Sequence, residues 1–260
     1  MKVLILPDEQ AAIARAAGII ADTLRAHPSA TLGLATGGTM LPVYADLVDR
    51  HRNGTLSLAL AKSFNLDEYV GLRPDHPGSY HRYMAEALFD RTDMRPLHAH
   101  LPRGDASDPK AEAKSYEARI ARAGGIDLQL LGLGRNGHIG FNEPTSSLGS
   151  RTRIKTLTQD TRDANRRYFD HDDDVPRYAI TMGIATILDA RHCVLLATGK
   201  AKADAAAAMI EGPMAAICPA SALQMHPQTT VILDQPAASA LRLQDYYHHV
   251  HPGGAESAYS

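Results

Sequence analysis

An α/β architecture, a mostly parallel sheet wound in both directions and flanked by helices, follows from two features of the 260-residue chain. Short apolar runs alternate with longer stretches of helical periodicity, the pattern of strands joined by crossover helices. One apolar run, at residues 126–133, passes straight into a glycine-rich loop, as a buried strand does on leaving a sheet. No internal repeat or low-complexity linker divides the chain. A single domain is therefore expected over residues 1–247, with residues 248–260, rich in Gly, His and Ser, as a flexible tail.

Taken in order, residues 3–6 predict a first strand, and Asp8 caps an alanine-rich helix to Ala26 that presents Ile13, Ala16, Ala17, Ile20 and Leu24 on one face. Residues 31–35 predict a strand ending in Thr36-Gly37-Gly38-Thr39, and residues 40–52 a helix with Pro42 in its first turn. Residues 58–66 are strand-like and run into Asp67-Glu68-Tyr69. Ser79 caps a helix to Phe89, residues 97–101 form a weak strand, and Asp108-Pro109 opens a helix to Ala123. Beyond the loop that follows residue 133, residues 151–157 alternate as a strand or hairpin arm, 160–169 read as helix and 178–182 as extended. Residues 192–198 predict a strand turning at Gly199 into a helix to Glu211, and 229–233 a last strand.

Composition excludes some partners. A formal net charge of −2 argues against nucleic acid or a membrane surface. No apolar run approaches the roughly 20 residues of a membrane helix, and the N-terminus enters a strand without the basic flank of a signal peptide. A cytoplasmic location is expected. Cys193 and Cys218 lie far apart with no Cys-x-x-Cys spacing, so reduced thiols are expected.

Chemistry concentrates in the loops. Thr36, Gly37, Gly38 and Thr39 offer backbone N–H groups and two hydroxyls at a helix start, which suits a phosphate. The segment lacks both the Lys-Ser/Thr ending of a nucleotide loop and the spacing of a dinucleotide fingerprint, so a monophosphate is expected. A Gly-Gly turn can also be only a turn. Lys202 follows Gly199 at a strand end, and Arg167 shares a polar helix with Arg162 and Arg166; taken singly, each is equally a solvated surface charge. Asp67 follows an apolar strand, where a carboxylate can serve as base for a C–H proton or merely cap a neighbouring helix. The loop carries Asn136, His138 and Glu143: a proton shuttle with two groups able to orient its ring. No metal-ligand spacing is present, and His248, His249 and His251 read as an accident of the tail.

Together these segments resemble the glucosamine-6-phosphate deaminase (isomerase) family. The resemblance rests on Leu32-Gly33-Leu34-Ala35-Thr36-Gly37-Gly38-Thr39, Phe64-Asn65-Leu66-Asp67-Glu68-Tyr69-Val70-Gly71-Leu72 and residues 132–144. It continues through residues 150–158, Thr161-Arg162-Asp163-Ala164-Asn165, Val175-Pro176, residues 199–202 and Leu223-Gln224-Met225-His226-Pro227, in collinear order over roughly the first 235 residues. It implies a Rossmann-like fold and conversion of D-glucosamine 6-phosphate and water to D-fructose 6-phosphate and ammonia, with no metal or organic cofactor. By the same resemblance His138, assisted by Glu143 and Asn136, opens the sugar ring. Asp67 moves the C2 proton, and the phosphate rests on Thr36 to Thr39 with Arg167 and Lys202.

The resemblance also carries departures. Position 136 is Asn where some members have Asp, which leaves the relay to His138 and Glu143 and implies activity with a shifted pH profile. Ser146, Arg153, Lys155 and Thr156 match positions that bind N-acetylglucosamine 6-phosphate, an activator, at a subunit interface in the allosteric hexameric members. A homo-oligomer is implied on the same ground, while Tyr246 and Tyr247 match the family's C-terminal aromatic region only across a gap. Two rivals share the general pattern: a 6-phosphogluconolactonase-like hydrolase, which needs no C–H base at Asp67, and a sugar-phosphate-sensing regulator domain.

Overall fold

The computed structural model describes residues 1–166, 169 and 175–255. Its strands are β1 (Lys2–Leu6), β2 (Thr31–Leu34), β3 (Lys62–Asn65), β4 (Asp67–Tyr69), β5 (Ala99–His100), β6 (Leu128–Gly132), β7 (Arg153–Thr156), β8 (Tyr178–Thr181), β9 (His192–Ala197) and β10 (Thr229–Asp234). The helices are α1 (Glu9–Ala26), α2 (Leu41–Arg52), α3 (Tyr80–Ala87), α4 (Pro109–Arg122), α5 (Gln159–Asn165), α6 (Ile184–Leu188), α7 (Ala203–Ile210), α8 (Gln235–Ala238) and α9 (Gln244–Val250).

Seven strands form one sheet in the order β1-β10-β9-β6-β2-β3-β5, and every pairing in it is parallel. Its middle strands are buried on both faces, as crossover helices on either side require. From β2 the chain winds outward through β3 and β5. From β6 it winds the other way through β9 and β10. The direction therefore reverses between β2 and β6, and the crevice beyond their carboxyl ends is where such sheets bind ligands.

The caps read from sequence are in place. Asp8 Oδ1 accepts from Ala11 N at 2.8 Å, Ser79 Oγ from Arg82 N at 3.1 Å, and Asp108 Oδ1 from Ala111 N at 3.0 Å. On α1, Ala16, Ala17, Ile20 and Leu24 are buried as expected, whereas Ile13 is only partly covered. The helix expected to Phe89 stops at Ala87, and α5 covers the first part of the one expected at 160–169, of which residues 167 and 168 lie outside those described. The stretch after Gly199 begins as a 3₁₀ turn, Lys200–Lys202, before α7. Gly199 sits at φ +84° and no side chain caps the start, so the first turn tightens rather than opening as α-helix.

A second sheet was not expected. β4, β8 and β7 pair antiparallel in the order β4-β8-β7, with Asp67 opposite Thr181. Leu66 bridges the two sheets, since its N–H donates to Leu34 O at 2.9 Å and its carbonyl accepts from Met182 N at 2.7 Å. Tyr69, Phe141, Leu157 and Ala179 form a small apolar cluster on this sheet, separate from the main core. At the C-terminus, α9 runs through His248 and His249, His251 is 5% exposed, and Pro252–Gly254 packs on β1. The chain is thus packed well beyond the start expected for a tail; residues 256–260 lie outside those described.

Candidate active site

A cavity of about 540 Å³ opens at the reversal between β2 and β6. Thr36, Gly37, Gly38 and Thr39 form one wall, leading from β2 toward α2. Lys202 enters from the 3₁₀ turn ahead of α7, and Asn136 and His138 come from the loop after β6. Asp67 faces them from β4. Arg167 lies outside the described residues.

Two carboxylates stand here, both buried yet differently surrounded: Asp67 lines the cavity, and Glu143 lies behind His138 without lining it. Asp67 is 5% exposed, and Thr181 Oγ1 donates to its Oδ2 at 3.4 Å. Burial, with the neighbouring Glu68 charge adding to it, pushes Asp67 up to about 8 against the Thr181 hydroxyl and the Phe141 N–H. Glu143 is 4% exposed and densely bonded. Its Oε2 accepts from Asn136 Nδ2 at 2.7 Å, and its Oε1 from Thr161 Oγ1 at 2.6 Å and Thr158 Oγ1 at 3.3 Å. Burial pushes Glu143 up, but the adjacent His138, the Thr161 hydroxyl and the Asn136 amide outweigh it and bring the carboxyl down to about 2.

His138 stands between Glu143 and the cavity. Its Nδ1 is 3.4 Å from Glu143 Oε2, long for a hydrogen bond and close enough for an ion pair once the ring is protonated. The ring lies so close over Gly134 that a Cβ there would sit 2.4 Å from it, so glycine is the residue that admits the imidazole. Gly140 has the same kind of constraint, at φ +54° with Thr181 and Asp67 alongside. The expected hydrogen bond from Asn136 to the imidazole takes another route. Asn136 Nδ2 donates to Glu143, while Asn136 Oδ1 accepts from the His138 backbone N–H at 3.2 Å. The amide thus fixes the carboxylate and the loop rather than the ring.

Ser146, Arg153, Lys155 and Thr156 do not line the cavity. Ser146 follows Glu143 and donates its N–H to the Glu143 carbonyl at 3.0 Å, while Arg153 and Lys155 lie two apart on β7 and share a face. Burial lowers the affinity of both cations for their protons, and for Lys155 the Arg153 charge adds to that.

Several lining residues were missed by reading the sequence. Tyr80 and Phe141 enter the cavity from the aromatic cluster, with ring centroids 6.1 Å apart, and the Tyr80 hydroxyl lies 3.1 Å from that of Tyr69. Tyr83 OH donates to Gly37 O at 2.7 Å and so steadies the Gly-Gly turn. Thr161 stood within a matched segment, but nothing in its spacing pointed to Glu143. Arg135 lines the cavity and contributes positive charge beside Lys202. Among the described residues no group of His, Cys, Asp and Glu side chains is arranged to hold a metal ion.

The family model described as glucosamine-6-phosphate isomerases/6-phosphogluconolactonase matches residues 8–232. The chain belongs to this family. Within it, a glucosamine-6-phosphate deaminase of Hahella chejuensis is 55% identical over 247 residues, covering 95% of this chain and 94% of that one. A glucosamine-6-phosphate deaminase of Rhodopirellula baltica is 54% identical over 241 residues, covering 93% and 96%. Among solved structures, one described as a monomeric glucosamine-6-phosphate deaminase superposes with a TM-score of 0.90 at 46% identity, covering 92% of this chain and 100% of that one. A 6-phosphogluconolactonase from Trypanosoma brucei has a TM-score of 0.75 at 20% identity, over 92% and 98%, and shares the family fold.

Proposed function

We propose that the chain is a glucosamine-6-phosphate deaminase in which Asp67 is the C2 base and the His138–Glu143 pair opens the sugar ring. The observation that carries this reading is the placing of Asp67 across one cavity from His138, on a separate sheet and in a separate electrostatic setting. Curated relatives at 50–55% identity along nearly the whole chain bear the same name.

The reaction needs two kinds of proton transfer. Ring opening moves a proton from the C1 hydroxyl and delivers one to the ring oxygen. His138 suits this, because Glu143, held ionised at neutral pH, stabilises the imidazolium that forms. The open aldehyde then acidifies C2–H. Asp67 takes that proton while the C1 oxygen gains one, giving the C1–C2 enolamine, and a proton returned to C1 leaves an imine at C2. Water adds to this imine, and loss of ammonia yields the C2 ketone of fructose 6-phosphate.

Asp67 must be ionised to act, although burial favours its neutral form. A substrate ammonium arriving beside it supplies the opposite charge that favours the carboxylate. Phosphate is assigned to the N–H groups and hydroxyls of Thr36, Gly37, Gly38 and Thr39, to Lys202 and, from the resemblance, to Arg167. Lys202, half-buried beside Arg135, has its proton affinity lowered by burial and by that neighbouring charge, and a bound dianion would relieve the repulsion.

Release of ammonia and fructose 6-phosphate from glucosamine 6-phosphate tests the reading. Hydrolysis of 6-phosphogluconolactone without ammonia release would replace it with the lactonase. Repeating the assay with N-acetylglucosamine 6-phosphate tests the proposed activator site at Ser146, Arg153, Lys155 and Thr156. Sedimentation velocity decides between the homo-oligomer implied by the allosteric members and a monomer such as the solved relative.

A further inference from the structure

Glu68 is the next residue along β4 from the proposed base, and it is fully buried at 0% exposure. Successive strand residues point to opposite faces, so Asp67 turns to the cavity while Glu68 turns away from it, under α3. There its carboxylate is an acceptor throughout. Oε1 takes the Tyr69 N–H at 2.8 Å and the Tyr80 N–H at 3.1 Å, and Oε2 takes the His81 N–H at 3.0 Å. His81 Nδ1 is a further 2.8 Å from Oε2. Backbone donors at the start of a helix are a setting for a carboxylate anion, not for a neutral acid.

No step of the proposed chemistry uses this group, yet it joins three parts of the site. It fastens β4, which bears Asp67, to α3, which bears Tyr80 in the cavity wall and Tyr83 on the Gly37 carbonyl. It also places a fixed negative charge beside a carboxylate with few donors of its own. Asp67 is faced by the Thr181 hydroxyl from β8 and the Phe141 N–H from the loop after β6. The phenols of Tyr80 on α3 and Tyr116 on α4 also sense its charge. Glu68 is the acidic neighbour in that setting, and His81 is the titratable group facing Glu68.

We propose that Glu68 is a positioning residue: its buried carboxylate, tied to the first turn of α3, fixes the orientation of Asp67 and sets its electrostatic surroundings. The proposal rests on Asp67 being the C2 base. Its consequence is that the enzyme loses activity on the acid side, where Asp67 holds its proton, earlier than an isolated buried aspartate would make it do.

The test is the pH profile of kcat/KM for ammonia release by the full chain, with the Asp67 carboxyl followed in parallel by NMR of ¹³C-labelled side chains. In Glu68→Gln the acid limb and the Asp67 titration should both move down by about one pH unit. Glu68→Asp, which keeps the charge, should hold the wild-type limb even if kcat falls. A residue that merely supports the fold would lower kcat at every pH, and an unmoved limb with an unmoved Asp67 titration in folded Glu68→Gln overturns the proposal. A titration that moves while the limb stays supports Glu68 and removes Asp67 from the base role. Should Glu68→Gln fail to fold, Glu68→Asp still decides: an Asp67 titration displaced from that of wild type although the acidic group is kept overturns the proposal.

Discussion

Asp67 and Glu143 make a controlled comparison: two carboxylates of one site, 5% and 4% exposed, driven in opposite directions. Burial is the largest influence on each. The outcome is decided by donors. Glu143 has an imidazole, an amide and two hydroxyls around it, whereas Asp67 has one hydroxyl, one N–H and an acidic neighbour. Environments that push paired groups apart assign them different work. In the proposed reaction the low-affinity carboxylate stays charged and supports a histidine, and the high-affinity one takes a proton from carbon and keeps it long enough to give it back.

The largest expected effect comes from removing the proton acceptor. Asp67→Asn should slow C2 proton exchange by roughly 10³-fold, the scale of a positioned general base, while sugar phosphate binding at the turn at 36–39 stays intact. Solvent deuterium appearing at C2 at the wild-type rate would take Asp67 out of the reaction. The comparison would then reduce to one working carboxylate and one structural one.

The same substitution should have the opposite sign on stability. Asp67 in the folded chain sits at about 8, above its ordinary value of 3.8, so the folded state binds the proton more tightly. The favourable contribution is complete below the unfolded value and is lost as pH rises toward 8. Wild type should therefore fall behind Asp67→Asn by an amount that grows between pH 5 and pH 8, on the order of 3 kcal/mol. Denaturant melts at the two pH values measure it. A gap that does not widen would mean that Asp67 ionises in the folded protein as freely as in the unfolded chain.

Glu143 carries the mirror-image expectation. Its folded value of about 2 lies below the ordinary value of 4.5, so its contribution is present above 4.5 and is lost as pH falls from there toward 2. Glu143→Gln should remove that acid-side dependence. It should also slow ring opening by roughly 10²-fold while sparing turnover of an analogue locked in the open-chain form. Equal loss on both substrates would place Glu143 in a later step and blur the division of labour.

How much of this contrast can be read in the sequence differs between the two regions. All seven strands of the parallel sheet were legible, because buried strands such as β6 and β9 are nearly continuous apolar runs. The loop with Asn136, His138 and Glu143 was legible too, since its strand delivers it directly to the sheet's carboxyl edge. The second sheet was only half visible. β7 and β8 showed extended patterning, but β4 is Asp-Glu-Tyr and has no apolar period to betray it. What buries β4 is antiparallel pairing with β8, 114 positions away for the Asp67–Thr181 contact, and no local window contains that. For the same reason no local period separates Asp67 from Glu68; the resemblance named Asp67, and Asp67 is the one that lines the cavity. The helices α6 and α8 are too short for a periodic signal.

The smallest effect is the sharpest probe of why the two carboxylates differ. Asn136 donates to Glu143 Oε2 and accepts from His138 N, a pair of roles that an amide fills with its two ends. An ionised aspartate at that position keeps the acceptor and loses the donor. It would set a second negative charge beside Glu143 in place of an N–H, so Asn136→Asp should raise Glu143 from its low value and spread one proton over the two carboxylates. The folded value of Glu143 has room to rise by more than a unit and still lie below neutral pH. Activity at pH 7 should therefore change only a few-fold, about 1 kcal/mol or less, while the titration of the Glu143 carboxyl, followed by NMR, moves upward. If Asn136→Asp instead raises activity well above wild type at every pH, the extra carboxylate is acting on His138 directly. The amide would then be a substitute for a proton acceptor and not a clamp on Glu143.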